Sequence, residues 1–133
     1  MMQKESGSIT IEALLLVPAL FLFSSLIIYV GRMTDAALSV RRAADVAARV
    51  ASESNAQTSK YQALQVARRE LSLLKSGCDH SDVDVVSAIR NAAVTYEVRV
   101  TCIVNSRGLG LLALAPRSVT AASTEIVDFY TSR

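Results

Sequence analysis

The chain has 133 residues, with 14 Lys and Arg, 12 Asp and Glu and one His, for a formal net charge of +2. That length holds one domain of ordinary size, and a weak charge on scattered Lys and Arg argues against a nucleic-acid binder. Cys78 and Cys102 are the only cysteines, too few for a four-cysteine zinc site. Hydrophobic residues reach 51% and mean hydropathy is +0.34, high for a chain with 20% charge. The excess sits near the N-terminus.

Residues 13–31 read ALLLVPALFLFSSLIIYVG, bounded by Glu12 and Arg32, and carry no charge. Nineteen residues at the helical rise span about 28 Å, close to the roughly 30 Å hydrocarbon core of a bilayer. The run predicts a retained transmembrane helix over 8–31. Pro18 and the pair Ser24 and Ser25 are tolerable there, because Ser can re-bond freed carbonyls. A cleavable secretory signal has a shorter apolar core, about 7–15 residues, and a clean cleavage site. A buried core helix of a soluble protein is the remaining alternative.

The residues before this run are MMQKESG, then SITIE. A cut after Gly7 makes Ser8 the first residue and Glu12 the fifth. This arrangement resembles the prepilin signal of type IV pilins, with glycine before the cut and glutamate at the fifth mature position. Gly7 offers little bulk to a membrane peptidase and takes an extended backbone easily. An ionisable group at the membrane boundary is expensive when unpaired. The resemblance implies that Glu12 pairs with the freed Ser8 amine of a neighbouring subunit. Taken alone, Glu12 also suits a simple helix start, near the positive end of the dipole. Charges beside the span do not fix orientation: Arg32, Arg41 and Arg42 lie on the far side and Lys4 on the near side.

Beyond the run, Met33, Ala37, Val40, Ala44, Ala47 and Ala51 recur every three or four residues and predict an amphipathic extension over 32–54. Only Gly31 weakens the join, so one rod of about 70 Å is expected from Ser8 to Ser54. Asn55 to Ser59 is a break. Ser59 and Gln62 fit a capping box, and Tyr61, Leu64, Ala67, Leu71 and Leu74 predict a second helix over 59–76, closed by Gly77. The rest is strand-like. Residues 82–86 form a short candidate strand. Residues 91–104 alternate cleanly, with Val94, Tyr96, Val98, Val100, Cys102 and Val104 on one face. Asn105 to Gly108 is a turn, LGLLALAP at 109–116 an apolar loop, and 118–128 a last strand. The expected fold class is α+β: a long membrane-spanning helix, its amphipathic extension, a second helix and a small antiparallel sheet of about three strands.

This layout, with GSITIE at the start, an early Pro18 and AADVAARVA in the extension, resembles the TadE-like minor pseudopilins of the tight-adherence (Tad, or Flp) pilus system. Ala13 departs from the aromatic residue that many pilins place after the glutamate. The resemblance implies a leader over 1–7, a span over 8–31 and a head over 32–133 outside the cytoplasmic membrane. Its implied partners are a prepilin peptidase, sister pseudopilins, the major pilin, the lipid bilayer and, indirectly, the Tad membrane platform with its ATPase. No nucleic acid is expected.

On an extracytoplasmic side Cys78 and Cys102 are candidates for a disulfide; two buried free thiols are the alternative. Cys78-Asp79-His80 supplies at most two metal ligands and reads as a polar turn. No hydrolase elbow, zinc-protease motif or phosphate loop occurs, so neither catalysis nor a cofactor is expected. The rival reading is an uncleaved single-pass anchor for an extracytoplasmic binding module. It accounts for the span and the head but not for Gly7 with Glu12 five residues on.

Overall fold

A helix needs few interruptions to run long, and beyond Gly7 in its first turn this N-terminus offers only Pro18 and Gly31. In the computed structural model, which describes residues 6–73, 78–91, 93–104 and 115–127, helix α1 (Ser6–Glu53) runs unbroken for 48 residues. At the helical rise that is about 72 Å. Side chains are described from Ile11 onward. A methyl group built at Gly31 meets no atom within 4 Å, so no contact among the described residues demands the glycine. Hydroxyls along the apolar part turn inward: Ser25 Oγ donates to the Phe21 carbonyl at 2.8 Å, and Thr34 Oγ1 to the Val30 carbonyl at 3.0 Å. Each thereby keeps an acceptor where water is scarce.

From Ala36 onward α1 is packed. Ala36, Val40, Ala43, Ala44, Ala47, Ala48 and Ala51 are all buried. The expected stripe is correct at Val40, Ala44, Ala47 and Ala51 but misplaced at one residue. Ala36 is buried and Ala37 exposed. The buried face is also wider than one narrow stripe, because α1 contacts a helix on one flank and a sheet on the other. Every buried residue of α1 but Val40 and Ser52 is alanine, so both neighbours can approach closely.

The chain reverses at Asn55, whose carbonyl accepts from the Thr58 and Ser59 amides, both at 2.9 Å. Helix α2 (Ser59–Ser72) then runs back along α1 and buries Ser59, Ala63, Ala67 and Leu71. The predicted capping box is absent. Thr58 is the N-cap and makes no side-chain cap bond. Ser59 Oγ is instead buried against the Tyr96 hydroxyl at 2.8 Å, while Gln62 Oε1 meets Ser54 Oγ. A tertiary partner has displaced the local one. Tyr61, expected on the apolar face, is exposed, because Ala63 and Ala67 set the inward face. The expected end of this helix, Leu74 to Gly77, lies outside the described residues.

Three strands follow, β1 (Cys78–Arg90), β2 (Ala93–Val104) and β3 (Arg117–Ile126), antiparallel in that order with β2 central. β1 is much longer than the expected 82–86. It takes in Cys78 to His80, so the polar turn expected there is a strand end with a shift of register between Cys78 and His80. Pairing with β2 supplies the order that the local sequence does not show. The β1–β2 connection places Asn91 at φ 51°, a left-handed conformation that asparagine tolerates better than most residues. On β2 the even-numbered face from Tyr96 to Val104 is buried, as the alternation predicts. β3 starts at Arg117 and its ladder ends at Ile126, short of the expected 128; Val127 N still donates to the Val94 carbonyl at 2.8 Å. The predicted turn at 105–108 and nearly all of the apolar loop at 109–116 lie outside the described residues.

The result is two layers. The extension of α1 and the whole of α2 cover one face of the sheet, with Val85, Val98 and Val100 at the centre of the core. Cys78 and Cys102 are joined in a disulfide between β1 and β2, with Cα atoms 5.4 Å apart.

Two stability predictions follow from this packing. Ala47→Leu forces extra carbons between the layers and should destabilise the protein by about 1–3 kcal/mol, whereas Ala37→Leu should stay within about 0.5 kcal/mol of the parent. Chemical denaturation of both variants in detergent checks this; equal effects would contradict the observed face. Reducing the disulfide should cost about 3 kcal/mol by loop-closure entropy, read as a lower denaturation midpoint with reductant than without.

Candidate membrane and assembly segment

The lower half of α1 presents a surface that the described residues leave uncovered. Leu14, Leu20, Phe21, Phe23 and Ile27 are among a run of large apolar side chains exposed to at least half their area. Among the described residues this is the one helix long and apolar enough to cross a membrane, with a mean hydropathy of 2.5 over its most apolar window and none of that window buried. A core helix of a soluble protein would be packed by its own chain; among the described residues this one is not. So large an apolar patch calls for a cover, and its length matches a bilayer. The helix fits a single membrane span.

The residues singled out at the N-terminus sit at the foot of that span. The backbone is helical from Ser6, so Gly7 and Ser8 occupy the first turn of α1. This differs from the extended backbone that glycine would allow, although first-turn amides lack intrahelical acceptors and such turns fray easily. Glu12 is exposed, one turn above Ser8 and directly below the apolar run. Glu12 takes part in neither the Arg49–Glu53 nor the Arg99–Glu97 ion pair.

The other marked residues lie in the head. Cys78 and Cys102 are committed to each other. His80 is exposed on β1. Among the described residues no group of three or more His, Cys, Asp or Glu side chains is placed to hold a metal ion. A shallow polar cleft is lined by Ser59, Lys60, Asp84 and Tyr96, but the Ser59 and Tyr96 hydroxyls satisfy each other.

One juxtaposition has no signal in the sequence. The return of α2 brings Glu70 and Leu73 beside Ser39 and Arg42 of α1, where the four line a common cleft. That cleft is at the end of the head facing the apolar span. Leu73 is exposed there. Only the antiparallel packing puts Leu73, the C-cap of α2, level with Ser39 of α1.

Comparison with known proteins gives one match. Residues 7–49 match the family model described as TadE-like protein. No curated protein matches the chain. No solved structure matches it either. The match, over 43 of the 133 residues, supports a general link between this segment and the tight-adherence pilus system. Its bounds run from Gly7 through Glu12 and the apolar span to Arg49 in the alanine-lined extension. The segment from residue 7 to residue 49 is TadE-like, as its sequence pattern leads one to expect.

Proposed function

We propose that this protein is a minor pseudopilin of a Tad pilus, inserted in the cytoplasmic membrane by α1 and clipped between Gly7 and Ser8 by a prepilin peptidase. One observation carries the reading: the TadE-like match begins at Gly7, the residue before the proposed cut. The cut lies in the first turn of α1, so the peptidase needs to unwind little helix to reach it. After cleavage the whole apolar run stays attached to a new amine at Ser8. Glu12 then stands about 6 Å above that amine along the helix. The carboxylate is at the membrane edge, where a positive partner is most valuable. The Ser8 amine of an adjacent subunit would supply it and set the register between neighbouring helices.

In this reading the head projects from the extracytoplasmic side and meets sister pseudopilins and the major pilin. The disulfide supports that side, since it needs an oxidising compartment. Force for extension comes from the Tad platform and its ATPase, and the chain itself acts as a structural part of pilus biogenesis and adherence.

The test is the mature N-terminus, read by mass spectrometry on membranes with and without the peptidase. A start at Ser8 that depends on the peptidase is the expected result, and Gly7→Leu should abolish it. An unprocessed N-terminus in both membranes would favour the uncleaved anchor, and a start beyond residue 30 would identify a secretory signal.

A further inference from the structure

Among the described residues the sheet has two open edges, β1 on one side and β3 on the other. Both are antiparallel to β2, so they run parallel to each other. Natural edge strands are ordinarily blunted by charge, proline, bulges or short length. From Ser118 to Thr124, β3 has no charge and no proline, and it keeps one register along its ten residues. β1 is thirteen residues long and carries Asp79, Asp82 and Asp84 in its first half.

Each edge has a fixed hydrogen-bond phase. The Val127 amide donates to the Val94 carbonyl at 2.8 Å. Bonding direction alternates along a strand, so the odd-numbered residues of β3 face β2. Ser118, Thr120, Ala122, Thr124 and Ile126 therefore turn their amides and carbonyls to the open side. On β2 the even residues face β3 and the odd ones face β1. The partners of those odd residues are the even residues of β1, so Ser81, Val83, Val85, Ser87 and Ile89 turn theirs to the open side.

The two sets interlock. Thr120 and Asp82 both pair with Thr101, so they stand at one level of the sheet. A second copy moved sideways, with no shift along the strands, sets its Asp82 beside Thr120. The Thr120 amide then donates to the Ser81 carbonyl of that copy, and the Thr120 carbonyl accepts from its Val83 amide, as a parallel ladder requires. Charge fits the same direction. Arg117 is level with Cys78, at the acidic end of β1, and Glu125 is level with Ser87, toward Arg90. Reversal would set Glu125 among the aspartates. Ile126 and Val86, exposed to 63% and 51%, come together on one face of the join.

The membrane selects this pairing over a join of like edges. Two like edges related by a two-fold axis pair antiparallel, and the axis stands perpendicular to the sheet. It would reverse α1, which lies on the sheet, and point the two spans in opposite directions.

We propose that the head joins a second copy of this chain by edge-strand addition: β3 of one copy extends its sheet along β1 of the other, in parallel, with Thr120 beside Asp82. Twist of about 20–25° per strand turns one head against the next by about 60–75°. Two spans share that angle by tilting, each within about 0–40°, so the join makes pairs. The inference rests on the single-span reading but not on cleavage after Gly7 or on any pilus partner.

The test uses the full-length protein in phosphatidylcholine vesicles, with its native disulfide intact. One tagged population carries Thr120→Cys and another carries Asp82→Cys. Joined copies bring these positions to about 4.8 Å, within disulfide reach, whereas in one chain β2 lies between them. Mild oxidation should cross-link the mixture and leave either variant alone monomeric. Thr124→Cys mixed with Asp82→Cys is four residues out of register and should cross-link about tenfold less. Ala122→Pro removes one open-side amide and spares the β2 ladder, so it should abolish the cross-link at an unchanged denaturation midpoint. No cross-link in the matched pair, equal cross-linking in the displaced pair, or a cross-link that survives Ala122→Pro would overturn the inference. So would cross-linking of either variant with itself, which would show like edges meeting. Protein that fails to float with the vesicles would overturn the single-span reading instead.

Discussion

Everything in this molecule hangs on the continuity of α1. One helix must be apolar on all sides where it has no protein cover and alanine-lined where the head folds onto it, and the change has to occur without a break in the backbone. The transition falls between Gly31 and Ala36. Below it, exposed Leu, Ile and Phe side chains make a surface that only lipid or other apolar helices can cover. Above it, alanines remove bulk so that α2 and the sheet can both lie against the same rod. The head is thus built onto the span directly rather than joined through a linker, and a displacement of the span is passed to the head as rigid motion.

That continuity links the fold to its proposed role. A subunit that packs by its lower helix needs its upper part held in fixed relation to that helix. The alanine face supplies this with small side chains that leave few alternative packings. The buried Ser59–Tyr96 pair adds a specific point of attachment between α2 and the central strand. The disulfide closes the open end of the β1–β2 hairpin. The TadE-like match covers the span and most of the alanine face, and the structure places both helix and sheet partners against its upper end.

Much of this was legible in the sequence because two periods stand out. The uncharged run from Ala13 and the strict alternation from Val94 to Val104 are long enough to survive tertiary context. The Ala/Arg extension was also readable, though its inward face was misjudged at Ala37 because alanine has too weak a preference to mark a face alone. The failures share one cause. Ser59 carried a local capping signature, but Tyr96, distant in sequence, takes its hydroxyl. Cys78 to His80 looked like a turn, yet pairing with β2 made it a strand. The cleft shared by Ser39, Arg42, Glu70 and Leu73 exists only once α2 folds back. Gly7, Ser8 and Glu12 are singled out by their resemblance to a prepilin signal, a one-dimensional pattern that needs no fold.

Helix continuity across the membrane boundary can be measured directly. Spin labels at Leu22→Cys and Arg49→Cys, with the native cysteines left in their disulfide, sit 27 residues apart on α1. In vesicles, a single narrow distance distribution near 40 Å is predicted for an unbroken helix. A broad distribution, or one centred well below that value, would show a hinge near Gly31 and contradict the account.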